Sequence, residues 1–273
     1  MKKLLSILMV IAVLLSIAAC GADPTTDVTV PSTKPADMVT IYIPKTAESI
    51  TYMPDGEQKI IMHYTFEEGW QNKESFTASV EIEDPNGMLG EQVDVLGMMK
   101  LSYSEKYYMQ ETSYINRTET FYDENGRAIK QVTTYLLESA MWEKQEINTT
   151  YDAFGRPATR ETKQYRRGED EPTVTTVTYT YTETATGSEG RYKENGIEYV
   201  SVYDQNYRLL STSTILNGEE AQRVENKYDE AGNLIESIQY LQGEKVAGFI
   251  YTHTAVEVSA EFAERMPQFN KAK

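Results

Sequence analysis

Few side chains in this 273-residue sequence are of the kinds that carry chemistry. There are two histidines, His63 and His253, and one cysteine, Cys20. Both histidines lie in strand-like runs. Neither has His-x-x-x-His spacing or a cluster of acids beside it, so neither is expected to hold a metal or act as a base. A single thiol excludes an intrachain disulfide and a thiolate metal site. The chain has no Gly-rich phosphate loop, no Gly-x-Ser-x-Gly elbow and no paired-Cys motif. Asp123, Asn125 and Gly126 have part of a calcium-loop spacing, but the twelve-residue frame and its closing Glu are absent. The 42 acidic residues would supply two carboxylates for glycoside hydrolysis, yet no spacing selects a pair. Asn116-Arg117-Thr118 and Asn148-Thr149-Thr150 fit the glycosylation acceptor pattern. The sequence predicts no catalytic residue, no metal and no cofactor.

The remaining chemistry is at Cys20. Lys2 and Lys3 precede a stretch from Leu4 to Ile17 that is apolar apart from Ser6 and Ser16. It is too short to span a membrane permanently and reads as a secretory signal. Ile17-Ala18-Ala19-Cys20 resembles the lipobox of bacterial lipoproteins. That resemblance implies cleavage between Ala19 and Cys20 and attachment of lipid, palmitate included, to Cys20. Residues 1–19 are then the signal peptide, and residues 20–40 are the lipidated cysteine and an extended tether of Asp, Thr, Pro and Ser. Removal of the two lysines in residues 1–19, a stretch without acids, takes the net charge from −16 to −18. Such a surface disfavours nucleic acid and anionic headgroups, so the membrane is expected to be touched through the lipid alone. The expected location is extracytoplasmic, anchored to the cell membrane or, in a diderm cell, to the outer membrane.

A repeat organises the chain beyond the tether. Tyr122-Asp123-Glu124-Asn125-Gly126-Arg127, Tyr151-Asp152-Ala153-Phe154-Gly155-Arg156 and Tyr228-Asp229-Glu230-Ala231-Gly232-Asn233 share one form. Tyr203-Asp204-Gln205-Asn206-Tyr207-Arg208 is a copy without the glycine. A period of roughly 26 residues, with one copy blurred near position 178, marks a repeat architecture. Tyr suits the end of a strand, and Asp bonds its own backbone two residues on. Gly takes the φ > 0 position that closes a type I turn with a bulge. In the copy without glycine that position is assigned to Asn206. Leu216-Asn217-Gly218-Glu219, Leu241-Gln242-Gly243-Glu244 and Tyr165-Arg166-Arg167-Gly168-Glu169 supply a second set of turns. Each repeat is one hairpin, with turns centred on Asp123, Gly126, Asp152, Gly155, Asp204, Asp229 and Gly232.

The Tyr-Asp-x-x-Gly-Arg form with a downstream Tyr resembles the YD repeat of the rearrangement-hotspot (RHS) family of bacterial envelope proteins, over roughly residues 115–253. In that family the repeats build long β-sheets that wrap into shells, usually around a toxin domain. This chain has too few copies for such a shell and no toxin domain, so the resemblance implies the hairpin unit and not the family's function.

The expected fold is all-β: an extended antiparallel hairpin meander, curved or partly wrapped, with a short C-terminal helix. Residues 41–114 read as diverged hairpins of the same sheet, with a separate small β-domain as the alternative. Residues 115–258 hold the YD-like repeats, and residues 259–273 hold a helix from Ala260 to Met266, capped by Ser259 and stopped by Pro267, with a fraying tail from Gln268. Thr176 to Glu183 alternates, with Val177, Tyr179 and Tyr181 on one face and threonines on the other. Other strands offer little to bury, so ladders among the 20 tyrosines are expected to stand in for part of the core. The surplus makes Tyr179 and Tyr181 a candidate binding face for cell-wall polysaccharide or an envelope protein. The functional expectation is a non-enzymatic binding or scaffolding role at the envelope. The alternatives are a secreted glycoside-type hydrolase and an envelope-assembly or toxin-immunity factor.

Overall fold

A computed structural model describes residues 38–87, 89, 99–112 and 115–271. Ala19, Cys20 and the tether up to residue 37 lie outside the described residues.

The chain is a continuous antiparallel meander. Its first strands are β1 (Met38–Met53), β2 (Gly56–Phe66), β3 (Ser75–Glu83), β4 (Lys100–Ser104), β5 (Tyr107–Thr112) and β6 (Asn116–Tyr122). The next six are β7 (Ala128–Tyr135), β8 (Trp142–Tyr151), β9 (Pro157–Arg166), β10 (Thr173–Thr178), β11 (Thr180–Thr184) and β12 (Gly187–Glu194). Then come β13 (Ile197–Asp204), β14 (Leu209–Leu216), β15 (Glu219–Tyr228), β16 (Leu234–Leu241) and β17 (Glu244–Ser259). Helix α1 (Ala260–Arg265) and the short β18 (Asn270–Lys271) end it. From β1 to β17 consecutive strands pair, save at Tyr179, and β1 pairs with both β2 and β17, so the sheet curls into a nearly closed barrel. The expected all-β meander with its short helix is therefore the observed fold. Residues of the 41–114 segment belong to that same sheet, and β1 begins at Met38, inside the stretch read as tether.

Cross-strand partners in an antiparallel sheet point to one side, so the register traces the inner face around the ring. Ala47 faces Met62 and Tyr251, and Leu101 faces Ala78 and Gln110. The apolar core is confined to one side of this interior. Ile41, Met62, Val80, Leu101 and Val258 form it with Trp70, Phe76 and Tyr103. Helix α1 lies over them. Ser259 Oγ accepts the Phe262 N–H at 3.1 Å, and Phe262 and Met266 are fully buried. The Trp70 ring stands edge-on to Phe262 at 5.5 Å, and Phe269 lies 5.2 Å from Tyr103. The helix ends at Arg265, one residue short of the expectation. The expected fraying from Gln268 is not found over the described part of the tail. Phe269 is buried, Gln268 Nε2 donates to the Ser104 carbonyl at 3.3 Å, and Asn270 and Lys271 pair with Tyr42 and Ile41. Aromatic burial, which sequence composition alone did not assign to the tail, ties it down.

Away from this plug the inner face is polar. Thr118, Thr120 and Thr133 are buried, while Gln131, Gln145 and Thr162 are half-buried. A ring of this many strands is wider than its own side chains can fill, which leaves the unplugged wall to hydrogen-bonding residues.

The tail also makes two of the Tyr-Asp turn glycines differ in their tolerance of change. Gly126 has φ +73°, and a Cβ there would stand 2.2 Å from the Pro267 carbonyl oxygen. Gly232 has φ +88° with open space around it. A side chain at either costs about 1–2 kcal/mol for the left-handed backbone. Gly126→Val is therefore predicted to lower the melting temperature further than Gly232→Val, which itself should fall by a few degrees, at roughly 2–4 °C per kcal/mol. Equal melting of the two variants would reject the packing of the tail over this turn.

Candidate functional site

The Tyr-Asp turns form as read from the sequence. In the first copy Asp123 Oδ1 accepts the N–H groups of Asn125 and Arg127, each at 2.9 Å, and the Gly126 N–H returns to the Asp123 carbonyl at 3.1 Å. Asp152 and Asp204 repeat this pattern. Asp229 accepts the Asn233 N–H at 2.8 Å. A bulge sits beside each turn, at Tyr122, Tyr151, Tyr203 and Tyr228. One expectation fails: in the copy without glycine the left-handed residue is Tyr207, at φ +58°, and not Asn206. A bulky residue there is strained by about 1–3 kcal/mol. Its ring compensates by packing 5.3 Å from Phe154, a residue of another turn.

The sixth motif residue has a role that its position alone did not reveal. Arg127, Arg156 and Arg208 each bond the second carboxylate oxygen of their own motif Asp through Nε, at 2.7–2.8 Å. Each guanidinium then covers the tyrosine of the next repeat: Arg127 over Tyr151 at 5.0 Å, Arg156 over Tyr181 at 4.1 Å and Arg208 over Tyr228 at 5.3 Å. The covered tyrosine donates its hydroxyl to the carbonyl just after that arginine, at Ala128, Pro157 and Leu209. Asp fixes Arg, Arg covers the next Tyr, and Tyr bonds back to the previous repeat. The signal was present, since Arg recurs at this place in three copies. Tyr181 occupies the place of the blurred copy.

The ring has a single discontinuity among the described strands, and two of these interactions meet there. β10 and β11 are one extended run divided at Tyr179. β10 pairs with β9 and β11 with β12, and among the described residues neither has a second strand partner. Side chains bridge what the backbone does not. Arg156, only 5% exposed, reaches Glu183 on β11 at 2.5 Å while holding Asp152 at 2.8 Å. Arg160 on β9 donates to Glu194 at 3.1 Å and to the Tyr192 hydroxyl at 3.3 Å, both on β12. Tyr179 packs 4.7 Å from Tyr192, which stacks on Tyr199 at 4.6 Å.

Tyr179 and Tyr181 do share a face, with Thr178, Thr180 and Thr182 exposed on the other. That face is the inner wall at the seam. Both rings are half-buried, and burial is the main cause that raises both hydroxyls above the usual tyrosine range. Burial also works against the charge on Arg160, but Tyr179, Tyr192 and Glu194 outweigh it and leave the guanidinium more basic than usual. The pair singled out by the sequence is thus held inside a larger Tyr–Arg–Glu cluster, whose other members the sequence did not single out.

The histidines lie elsewhere. His63 Nε2 is 3.2 Å from Glu83 on an exposed face, and His253 is half-buried, with no hydrogen-bond partner at Nδ1 among the described residues. Among the described residues no group of three or more His, Cys, Asp or Glu gathers as a metal site, and no helix is long and apolar enough to cross a membrane.

No protein-family model matches this chain, and no curated protein sequence does. Three solved structures are similar to it in part. A porin-like protein from Bacteroides uniformis has a TM-score of 0.42 at 8% identity, covering 82% of this chain and 100% of its own. A protein described as an outer membrane lipoprotein-sorting protein domain, from Vibrio parahaemolyticus, has 0.29 at 9%, covering 84% and 92%. An exported protein with a YmcC-like fold from Bacteroides fragilis has 0.25 at 11%, covering 79% and 94%. At these scores the likenesses carry no argument about function.

Cutting the seam should cost more than cutting a surface pair. Arg156→Ala should destabilise the protein by about 1.5–3 kcal/mol, the range for hydrogen bonds to charged groups. Arg166→Ala, which removes an exposed pair with Glu169, should cost under about 1 kcal/mol. Urea unfolding of both would expose a wrong assignment if they lost the same amount. For His253, burial lowers the pKa below 6.5, partly opposed by Asp229. The unfolded chain then binds the proton more readily, so its contribution to stability is complete above pH 6.5 and declines as pH falls below it. Wild type should lose more stability between pH 7.5 and 5 than His253→Gln; parallel curves would contradict the assignment.

Proposed function

We propose that this chain is a lipid-anchored protein of the bacterial cell envelope, and that it acts by binding and not by catalysis, with the seam as its contact site. The anchor rests on the Ile17-Ala18-Ala19-Cys20 box behind a short apolar stretch. The binding role rests on one observation: among the described strands the wall is continuous except between β10 and β12. At that opening Tyr192, Tyr199, Arg160 and Glu194 are half-buried. They combine flat apolar rings with a fixed charged pair, and few rotatable bonds are left to freeze when a ligand settles on them. The acidic net charge turns this site away from polyanions.

Metabolic labelling with a palmitate analogue should mark the wild type, which should partition into detergent, and should not mark Cys20→Ala. Equal labelling of the two would remove the anchor. Capture from native envelopes by the wild type and by Arg160→Ala, in which the bridge across the seam is cut, addresses the binding role. A partner recovered equally by both would show that the seam is not its site.

A further inference from the structure

The seam leaves a strand edge without a strand partner among the described residues, and its hydrogen-bonding direction can be read. The Tyr179 N–H bonds the Ala158 carbonyl at 3.0 Å. In an antiparallel ladder the residues that bond a given neighbour alternate. Val177, Thr175 and Thr173 therefore turn their backbone groups to β9, as Tyr179 does. Val174, Thr176 and Thr178 turn theirs to the side of β12, whose end at Tyr192 to Glu194 comes close to Tyr179 but forms no ladder with β10 among the described residues. The side chains of these three are exposed, Val174 by 52%.

Unpaired edges are normally blunted by lysines, prolines, bulges or inward charges. Thr173-Val174-Thr175-Thr176-Val177-Thr178 has none of them within the run, and the one proline, Pro172, stands just before its first residue. The neighbouring β9 carries Arg160, Glu161 and Lys163, and β8 carries Lys144 and Glu146. Glu169, Asp170 and Glu171, all exposed, lead into it.

We propose that the free edge of β10 receives an extended polypeptide segment bearing lysine or arginine as an added antiparallel strand. Main-chain bonds to Val174, Thr176 and Thr178 would supply the affinity, and the acidic lead-in would choose a basic partner. A second copy of this chain is disfavoured as the occupant, because each copy carries a net charge of −16 even with its N-terminal lysines, and two such edges would meet against that repulsion. This inference rests on the binding role proposed above and names the partner's chemistry.

The test uses a fluorescein-labelled heptapeptide, Lys-Thr-Val-Thr-Val-Thr-Lys, in an anisotropy titration against the whole protein. The wild type should bind it, and added salt should weaken binding. Replacing both peptide lysines by glutamate should weaken it at least tenfold. Thr176→Pro removes a donor that faces away from β9, so the fold should persist by circular dichroism while affinity drops at least tenfold. Thr176→Ser should bind as wild type does. Should Thr176→Pro fail to fold, Val174→Pro, nearer the strand end, gives the same reading.

Absence of peptide binding, or binding left intact by the proline, overturns the proposal. So does equal affinity for the acidic peptide. A wild-type dimer in sedimentation that Thr176→Pro abolishes would assign the edge to a second copy instead, and also overturns it. If the peptide fails while the wild type, and not Arg160→Ala, still captures an envelope polysaccharide, the binding role stands and only the edge assignment falls.

Discussion

Closure of the sheet is the constraint on which the rest of this molecule depends. β1 and β17 are the longest strands, at 16 residues each, and they pair from Met38–Ser259 to Thr51–Ala247 with one bulge. This joins the first described strand to nearly the last and removes the two edges that an open meander would expose. The cost is a long-range contact that must wait for every intervening hairpin. The local Asp-capped turns ease that cost, since each fixes its own hairpin without help from the remainder.

The same closure explains the uneven interior. A ring of this circumference encloses more space than its side chains can fill. The chain fills one side with Trp70, Phe76, Phe262, Met266 and Phe269, and leaves the other side to threonine, glutamine and tyrosine. The outer face carries the charge. Lys144–Glu146, Arg191–Glu198 and Lys227–Glu236 pair there. Midway along the inner wall, Arg160 and Glu194 pair with each other. Exposed pairs contribute little individually, and their main effect is to keep the outer face soluble.

The seam is where these requirements conflict. Around most of the ring the backbone ladder carries the wall. At Tyr179 the ladder passes from one half of a strand to the other, and Arg156 and Arg160 take over. Arg156 closes one side of the gap and Arg160 the other, each held by an acid and an aromatic ring. Tyr207 accepts a left-handed backbone so that its ring can meet Phe154 close by. The strained Tyr207 and the buried Arg156 thus lie close together beside the seam, where the repeat is irregular.

Much of this was legible in the sequence because its causes are local. The Tyr-Asp-x-x-Gly period specified the hairpins, the Thr176–Glu183 alternation specified which residues share a face with its tyrosines, and Ser259 specified where the helix starts. These depend on φ/ψ preferences and side-chain bonds spanning a few residues. The sequence also showed Arg at a constant place in three turns, but not its target, since Tyr151, Tyr181 and Tyr228 lie roughly 20 or more residues further on, beyond the reach of any turn rule. What only the tertiary structure decided is which segments meet across the ring: that β17 returns to β1, that Gln268 to Lys271 is bound in place of fraying, that Tyr207 and not Asn206 bends backwards, and that Thr173–Thr178 is left with a free edge. Each depends on distances between residues far apart in the chain, and periodicity along the chain does not encode those distances.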